Sequence, residues 1–291
     1  MTGVIAVDKP QSFTSFDVVA VIRGCLHTKK VGHGGTLDPM ATGVLPVFVG
    51  GATKAVDILP DTGKSYRAGF RLGVTSDTLD IWGALSQQEA VSVPPEKVSG
   101  VFSRFIGETQ QIPPMYSALK VNGQKLCDLA RRGIEVERKP RPITITRLEL
   151  TEFDGRDGVL EMDCSSGTYV RSLIDDVGRA LGTGAVMTSL VRTRSCGFTL
   201  SQCTPLEQLR ETPYEELCGL IRPVDAAFTP YTRIDLDAAQ ERLYMNGVRL
   251  DLNRVNGAPE SGMCRIYTQQ GFVGVARAEN GELVPVKRLV G

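Results

Sequence analysis

Histidine is scarce in this sequence, because the chain of 291 residues contains only His27 and His33. A hydrolase that depends on a histidine beside a serine or cysteine nucleophile could therefore be assembled in few ways. Familiar cofactor and metal motifs are also missing: there is no G-x-x-x-x-G-K-[ST], no G-x-G-x-x-G after the first predicted strand and no H-E-x-x-H. We expect the chemistry to depend on carboxylates, tyrosines and arginines, with no cofactor and no metal ion.

Paired cysteines and long apolar runs are absent as well. The seven cysteines are odd in number, scattered and without C-x-x-C spacing, which argues against a disulfide framework and a structural zinc site. No stretch approaches the roughly 20 apolar residues that a helix needs to span a bilayer. Asp8 and Lys9 stand where a signal peptide would need its apolar core. The sequence thus predicts a cytoplasmic protein that does not enter a membrane.

Excess charge of one sign is missing too, since 33 basic and 33 acidic residues cancel. Proteins that bind nucleic acid without sequence preference usually carry net positive charge, so this balance argues weakly against RNA. Local clustering points the other way, because Lys29 and Lys30 precede a glycine-rich loop and one later segment is crowded with basic residues. That segment contains Lys120, Lys125, Arg131, Arg132, Arg138, Lys139 and Arg141. Taken alone, each cluster could equally be a solvated surface.

Hydrophobic periodicity predicts an α+β protein. A strand at residues 3–7 precedes a helix that starts at residues 14–17, where a hydroxyl stands three residues ahead of an acid, and Phe16, Val19 and Ile22 then recur at helical spacing. Alternation predicts strands over residues 66–74 and 160–164. A helix from about residue 168 to 181 follows, and Gly182 ends it.

The chain is long enough for one large domain and a small one. We predict a first domain over residues 1–228, with a basic insertion at about 116–141 that contains a short amphipathic helix. This insertion is interpreted as an arm over a polyanionic ligand or as a surface hairpin. A helix over residues 236–245, short strands around residues 264–268 and 272–277 and a turn at Asn280-Gly281 predict a separate β-rich module over residues 229–291.

Asp38 is the best candidate for a catalytic residue. It follows a loop with three glycines and precedes Pro39, which restricts the backbone beside it. Gly34 and Gly35 allow the backbone to approach a ligand closely. The loop by itself does not establish catalysis, because an aspartate at such a position is more often a turn residue.

Several segments, in the expected order, resemble the bacterial transfer-RNA pseudouridine synthases of the TruB family. Residues 32–46, which read GHGGTLDPMATGVLP, resemble the family's catalytic-aspartate motif, and Asp8-Lys9-Pro10 precedes them. KSYR at residues 64–67 resembles the segment with the active-site tyrosine, and SSGTYVR at 165–171 resembles the segment with a second tyrosine and an arginine. The resemblance extends from about residue 3 to 228. Gly34 departs from the threonine or alanine that is common there, which could loosen the loop but leaves Asp38 in register.

The resemblance implies a pseudouridine-synthase fold with a central mixed, mainly antiparallel sheet. It also implies, more weakly, that the C-terminal module is of the PUA type and binds RNA; the module could equally be a structural cap. The implied enzyme isomerises a uridine in the T loop of transfer RNA, at tRNA position 55, to pseudouridine. The N-glycosidic bond breaks, the uracil rotates and a C–C bond forms, so nothing is oxidised or consumed. The expected partner is the T stem-loop of transfer RNA, and a monomer is expected.

The resemblance also implies roles for single residues. Asp38 would be the nucleophile, Arg171 would face it and keep it ionised, and Tyr66 would stack on the uracil while its hydroxyl helps to remove the C5 proton. Extrusion of the base costs a few kcal/mol, and His33 would lie near the space that the base leaves. The other residues expected to bind the substrate are Lys9, Gly34, Thr36, Arg131, Arg132, Tyr169 and Leu190.

Two other functions remain open. A non-catalytic RNA-binding or RNA-folding protein would share the basic segment and the stacking tyrosines, but it would not need Asp38 opposite Arg171. A hydrolase of nucleosides or glycosides would need two carboxylates that flank the scissile bond, and the matched loops offer one clear candidate.

Overall fold

A computed structural model describes residues 1–60, 62–87 and 91–289. The chain divides into two compact units: the first contains Met1–Leu37, Val44–Thr62 and Ser195–Gly291, and the second contains Asp38–Gly43 and Gly63–Arg194. The predicted boundary after residue 228 lies inside the first unit and remains a prediction. The last two residues of the predicted module, 290 and 291, lie outside the described residues.

The predicted α+β class is confirmed, with a mixed central sheet and a β-rich C-terminal part. The strands are β1 (Gly3–Lys9), β2 (Val31–His33), β3 (Thr42–Val49), β4 (Lys64–Leu72), β5 (Val74–Ser76), β6 (Leu85–Gln87), β7 (Gly107–Gln111), β8 (Lys120–Val121), β9 (Gln124–Lys125), β10 (Arg141–Phe153), β11 (Asp157–Cys164), β12 (Ala185–Ser195), β13 (Phe198–Thr199), β14 (Thr204–Pro205), β15 (Thr232–Asp235), β16 (Leu250–Asp251), β17 (Gly262–Thr268), β18 (Gly271–Glu279) and β19 (Glu282–Arg288). The α-helices are α1 (Ser15–Cys25), α2 (Pro95–Phe102), α3 (Leu126–Ala130), α4 (Val170–Leu181), α5 (Leu206–Glu211), α6 (Tyr214–Gly219) and α7 (Ala238–Met245). Short 3-10 helices cover Gly50–Ile58, Ser103–Phe105, Leu200–Gln202, Val224–Phe228 and Leu252–Arg254.

In the first unit, β1 runs parallel to β14 and neighbours β3, and β2 is antiparallel to β3. Helix α1 begins where the sequence predicts, because the side chain of Thr14 accepts a hydrogen bond from the backbone N–H of Asp17 at 3.0 Å in a capping box. The expected apolar face is wrong at Phe16, which is 63% exposed. The predicted Val19 and Ile22 are buried, and Ser15 and Val18 complete the buried face in place of Phe16.

The C-terminal part of the first unit is a five-stranded sheet in the order β15-β17-β18-β19-β16. The two strands predicted near residues 264–268 and 272–277 are confirmed as β17 and β18. The predicted turn between β18 and β19 is confirmed as well, since Asn280 and Gly281 both have positive φ. This sheet has a core of its own, and Phe272 also stacks on Phe228 with the ring centroids 6.1 Å apart.

The sheet of the second unit has the order β3-β12-β4-β11-β10-β7, with Thr42 and Gly43 as the part of β3 that belongs to this unit. Strand β12 is parallel to β3, while β4, β11, β10 and β7 pair antiparallel. The alternation predicted from Tyr66 is confirmed through Leu72, and these inward positions are buried. The strand then breaks at Gly73, whose φ is 75°, so that β5 is a separate strand.

Helix α4 follows β11 as predicted and carries a buried apolar face. Gly182 ends the helix in the left-handed conformation, with φ of 76°. Arg171 is the second residue of α4, so its backbone is fixed by the first turn of the helix. This placement brings the guanidinium into the interior of the second unit, where Arg171 is buried.

Candidate active site

A carboxylate and a guanidinium meet in the second unit. Nη2 of Arg171 lies 2.8 Å from Oδ2 of Asp38. The side chain of Arg171 is 7% exposed, whereas that of Asp38 is 35% exposed. The guanidinium is therefore held inside the protein, and the carboxylate that it contacts remains accessible to a ligand.

The backbone around Asp38 is fixed by a turn and by a close approach between strands. The N–H of Ala41 donates to the carbonyl of Asp38 at 3.1 Å, which closes the turn. Gly43 follows with φ of 100°, and a Cβ at this position would overlap the carbonyl oxygen of Arg192 in β12. The turn can lead directly into β3 because residue 43 has no side chain.

Arg171 is held by a full set of partners. Nη1 donates to the carbonyl oxygen of Thr78 at 3.0 Å, and Nη2 donates to the carbonyl oxygen of Tyr116 at 2.8 Å. Nη1 also lies 3.5 Å from Oδ2 of Asp80. The planar guanidinium thus has defined contacts besides Asp38, which fix its direction as a lysine could not.

Asp80 is a second carboxylate at this site, and no pattern in the sequence predicted it. Its side chain is 3% exposed. Oδ1 accepts hydrogen bonds from Oγ1 of Thr78 at 2.7 Å and from the N–H of Trp82 at 3.1 Å, while Oδ2 faces Arg171. An aspartate in a turn rich in serine, threonine and aspartate is ordinary, so the sequence gives no signal for its contact with Arg171.

Tyr66 lies on the buried face of β4, opposite Met162 of β11. Burial raises the pKa of the Tyr66 phenol from 10.0 to about 12, and a hydrogen bond from the guanidinium of Arg192 partly opposes this rise. The charge of the Asp38 carboxylate is a smaller cause that also raises this pKa. Arg192 is completely buried, and the sequence analysis assigned it no role. Because burial raises its pKa, the phenol of Tyr66 is protonated at neutral pH.

Tyr169 and Leu190 are the remaining predicted pocket residues of the second unit. The amide of Gln111 fixes the backbone of Tyr169, since Nε2 donates to its carbonyl oxygen at 3.0 Å and Oε1 accepts from its N–H at 2.8 Å. Burial raises the pKa of Tyr169. Leu190 is buried in β12. Gln111 was also missed, because its partner is 58 residues away in the sequence.

The other predicted residues of the glycine-rich loop belong to the first unit. His33 ends β2, and its Nδ1 accepts from the N–H of Gly35 at 3.3 Å. Thr36 is exposed. Lys9 is completely buried, and its Nζ donates to the carbonyl oxygens of Pro10 at 2.8 Å and Phe13 at 2.7 Å. Lys9 therefore holds the segment after β1, and its contact with substrate remains a prediction.

Gly34 is tightly surrounded. A Cβ at this position would lie 2.9 Å from the ring of Phe48 and 3.1 Å from Sγ of Cys196. The space that a threonine or alanine would occupy is thus filled by neighbouring side chains. The expectation that the glycine could loosen the loop finds no support in this packing.

The predicted basic insertion forms a hairpin of β8 and β9 followed by α3. Arg131 is largely exposed and lies 3.5 Å from Asp128, and Arg132 donates to Oε1 of Gln124 at 3.0 Å. These residues line a shallow cleft together with two lysines, Lys120 and Lys125. The cleft is predominantly basic, as a surface that contacts phosphate groups would be.

Metal sites and membrane spans were sought over the described ranges 1–60, 62–87 and 91–289. No group of three or more histidine, cysteine, aspartate or glutamate side chains there could hold a metal ion. No helix of these ranges is long and apolar enough to cross a membrane.

Family models define the class of this protein. The chain matches TruB family pseudouridylate synthase (N terminal domain) over residues 23–170 and tRNA pseudouridylate synthase B C-terminal domain over residues 171–229. Residues 232–290 match Pseudouridine synthase II TruB, C-terminal. The protein is therefore an isomerase of the pseudouridine synthase class. It belongs to the TruB family and converts uridine in transfer RNA to pseudouridine, so the resemblance stated from the sequence is confirmed.

Individual relatives are similar in sequence to this chain over nearly its whole length. The tRNA pseudouridine synthase B of Clostridium tetani (strain Massachusetts / E88) is 42% identical, with 100% of both chains covered. That of Aromatoleum aromaticum (strain DSM 19018 / LMG 30748 / EbN1) is 44% identical over 99% of this chain and 92% of the relative.

Solved structures show the same fold. A Cbf5-Nop10-Gar1 complex matches with a TM-score of 0.78 and 29% identity over 99% of this chain and 85% of the other. An H/ACA RNP bound to a substrate RNA containing 2'-deoxyuridine matches with a TM-score of 0.77 and 26% identity over the same shares. The predicted pseudouridine-synthase fold is confirmed.

Proposed function

We propose that Asp38 is the nucleophile that isomerises the uridine at position 55 in the T loop of transfer RNA. The observation that carries this proposal is the pair formed by Asp38 and Arg171. The guanidinium contacts one carboxylate oxygen at 2.8 Å from a buried position, while the carboxylate remains partly exposed. A nucleophile needs both features, because its direction must be fixed and it must reach the reacting atom.

The reaction exchanges one bond for another within the nucleotide. Asp38 bonds transiently to the nucleotide, either at the ribose or at the base. The bond from the ribose C1′ to N1 of uracil breaks, the uracil rotates, C1′ forms a bond with C5, and the bond to Asp38 breaks. The proton at C5 is lost and N1 gains a proton, so no other reactant is consumed. Before these steps the uridine leaves the T-loop stack, which costs a few kcal/mol that pocket contacts must supply.

Tyr66 is proposed to stack on the extruded uracil and to assist removal of the C5 proton. Since burial raises the pKa of its phenol to about 12, the hydroxyl holds its own proton at neutral pH. It can accept the C5 proton only while it passes its own proton to another group. The acceptor that we propose is the Asp38 carboxylate after its own bond to the nucleotide has broken, and Asp38 then gives the proton to solvent.

The remaining predicted residues are proposed to bind the nucleotide and the RNA around it. Tyr169 and Leu190 complete the uracil pocket, and Arg131 and Arg132 of the basic cleft contact phosphates of the T stem-loop. The loop residues proposed to contact the flanking RNA are His33, Gly34 and Thr36. Lys9, which is buried, is proposed to support substrate binding by holding the segment after β1.

We further propose that residues 1–228 form the catalytic domain and that residues 229–291 form a PUA-like module that binds RNA. The succession of family matches, which changes between residues 229 and 232, supports this division. The enzyme is proposed to act as a monomer in the cytoplasm, where its transfer-RNA substrate is found.

The second carboxylate, that of Asp80, does not support the hydrolase alternative. Asp80 is 3% exposed, and both of its oxygens have partners within the protein. It therefore cannot flank a scissile glycosidic bond together with Asp38, as a two-carboxylate mechanism requires.

A product analysis tests the proposal against both alternatives. Transfer RNA labelled with tritium at uracil C5 is incubated with the wild-type protein, with Asp38→Asn and with Asp251→Asn, an exposed aspartate of the C-terminal part. We expect tritium release and pseudouridine from the wild type and from the Asp251 variant, and RNA binding without release from Asp38→Asn. Binding without release by the wild type would indicate an RNA-binding protein, and free uracil would indicate a hydrolase.

A further inference from the structure

The two-residue turn that joins β12 to β13 contains a cysteine in an uncommon conformation. Cys196 has φ of 51° and Gly197 has φ of 79°, the signs of a type I′ turn. The residues favoured at the first position of such a turn are asparagine, aspartate and glycine, because other side chains meet steric resistance at positive φ. Although turn residues are usually exposed, Cys196 is buried. The backbone preference of cysteine therefore does not explain why residue 196 is a cysteine.

The sulfur of Cys196 lies against the glycine-rich loop. Its thiol donates to the carbonyl oxygen of Gly34, with Sγ 3.4 Å from the oxygen. A Cβ on Gly34 would lie 3.1 Å from the same sulfur and 2.9 Å from the ring of Phe48. Both distances are too short for relaxed packing of an alanine. The sulfur of Cys196 thus occupies the space that a side chain at position 34 would need.

This contact anchors the loop that ends at Asp38. The N–H of Gly34 donates to the carbonyl oxygen of Pro46 in β3 at 2.9 Å, so the backbone on both sides of Gly34 is held. A second anchor lies at Leu37, whose N–H donates to Oγ of Ser15 at 2.8 Å. Only residues 35 and 36 separate the two anchors. The carbonyl oxygen of Leu37 also accepts from Oγ of Ser15 at 3.1 Å. The segment before Asp38 is thus fixed at both ends, and a displaced Gly34 must be accommodated within residues 35 and 36 or at the Leu37 anchor itself.

We propose that Cys196 and Gly34 are an interlocked pair of positioning residues for the catalytic loop. The thiol fixes the carbonyl of Gly34, and the sulfur occupies the space that a larger residue at position 34 would need. The pair acts through the backbone direction at Asp38 and touches no reacting atom. This inference rests on the proposed role of Asp38.

A double-mutant cycle tests the pair with Gly34→Ala, Cys196→Gly and the variant that carries both changes. The first change forces a methyl group against the sulfur and the Phe48 ring. The second removes the sulfur while it keeps a residue that favours positive φ, so the turn itself is not strained. In the double variant the methyl group enters the space that the sulfur leaves. The effects of substitutions at two residues in contact are expected not to be additive, so the double variant should lose less activity than the two single effects predict.

We expect each single change to lower kcat about tenfold or more, because small misplacements of a reacting group are costly. Cys196→Gly, which changes no residue proposed to contact RNA, should leave KM within about twofold. The double variant is expected to recover to within about threefold of the wild-type kcat. Cys196→Ser keeps a donor at the same place and is expected to retain most of the wild-type kcat. Cys203→Ser is the matched control, since its thiol also donates to a carbonyl oxygen, that of Thr199 at 3.4 Å, in a different loop.

The melting temperature of each variant separates positioning from folding. All assays are performed at a temperature where every variant is folded. If Cys196→Gly does not fold, Cys196→Ala, which also removes the sulfur, takes its place in the cycle. A kcat for the double variant equal to the product of the two single effects would overturn the interlock, and so would single variants with wild-type kcat. Asp38→Asn is measured in the same series. Turnover by Asp38→Asn would refute the proposed function, whereas an inactive Asp38→Asn with an additive cycle would refute the interlock alone.

Discussion

Arg171 contacts Asp80 and Asp38 through different nitrogens: Nη1 lies 3.5 Å from Oδ2 of Asp80, and Nη2 lies 2.8 Å from Oδ2 of Asp38. Asp80 and Arg171 are both buried, so each compensates the charge of the other. Asp38 is the more exposed of the two carboxylates. The buried aspartate thus stabilises the guanidinium that in turn contacts Asp38, the carboxylate proposed as the nucleophile.

Asp80→Asn is predicted to lower turnover through Arg171. Loss of the buried charge leaves the guanidinium attracted to Asp38 alone and weakens its fixed orientation, so we expect kcat to fall about 10- to 100-fold, as is typical when a supporting partner of a reacting group is lost. Stability should also fall by about 3–5 kcal/mol, because a buried ion pair is broken.

The measurement is the rate of tritium release together with urea unfolding of the same samples. Asp77→Asn, an exposed aspartate three residues earlier in the same turn, is the control and should retain both properties. A wild-type kcat in Asp80→Asn would contradict the account of Arg171.

Two substitutions of Tyr66 distinguish stacking of its ring from proton transfer by its hydroxyl. Tyr66→Leu removes the ring and is predicted to abolish turnover while the fold is retained. Tyr66→Phe keeps the ring on the buried face of β4 but removes the hydroxyl, so the nucleotide should still bind while kcat falls about 100-fold or more, the usual contribution of a group that transfers a proton. Single-turnover assays with saturating enzyme, combined with binding titrations, distinguish the two effects. Full activity of Tyr66→Phe would remove the hydroxyl from the mechanism.

The stability of the folded protein at alkaline pH depends on the pKa of the same phenol. The pKa of Tyr66 is about 12 in the folded protein and 10.0 for the unperturbed side chain. Because the folded-state value is raised, the contribution of Tyr66 to stability is fully present below pH 10 and is lost as the pH rises towards 12.

Between pH 9 and pH 11 the wild type should lose about 1 kcal/mol more unfolding free energy than Tyr66→Phe, since one pH unit within this window corresponds to about 1.4 kcal/mol. Urea unfolding at a series of pH values measures this difference. Parallel curves for the two proteins would show that the phenol is not buried as the structure places it.

The basic cleft of the insertion predicts a salt-dependent contribution to binding. Arg131→Gln together with Arg132→Gln should weaken RNA binding and reduce the slope of log K against log salt by about 1 to 2, because fewer counterions are released. Arg71→Gln, a half-exposed arginine paired with Asp157, is a matched control in the same unit. An unchanged slope in the double variant would exclude these arginines from the RNA footprint.

Local patterns predicted the elements that carry the site. The capping box at Thr14 and Asp17, the alternation of β4 and the glycine at the end of α4 all depend on neighbours within a few residues, and the structure agrees with them. The inward direction of Phe16 was wrong because periodicity cannot tell which of several apolar stripes faces the core. Strands β15 and β16 were missed, since they are short and depend on partners elsewhere in the C-terminal sheet.

The partners of the site residues could not be predicted in the same way. Asp80 and Gln111 meet Arg171 and Tyr169 across long separations in the sequence, 58 residues in the case of Gln111, and neither lies in a motif that the resemblance identified. Their roles follow from tertiary packing, which brings the turn before Asp80 and the end of β7 to the start of α4. The side chains that contact these groups therefore became visible only in the structure.

The central claim is that the carboxylate of Asp38 makes the reaction possible. Its most direct test is a single-turnover measurement of C5 tritium release from a labelled T stem-loop, with Asp38→Asn in excess over RNA at a concentration that saturates binding. The account predicts that the RNA is fully bound and that no label is released during many wild-type half-lives. Release at a rate near that of the wild type would contradict it.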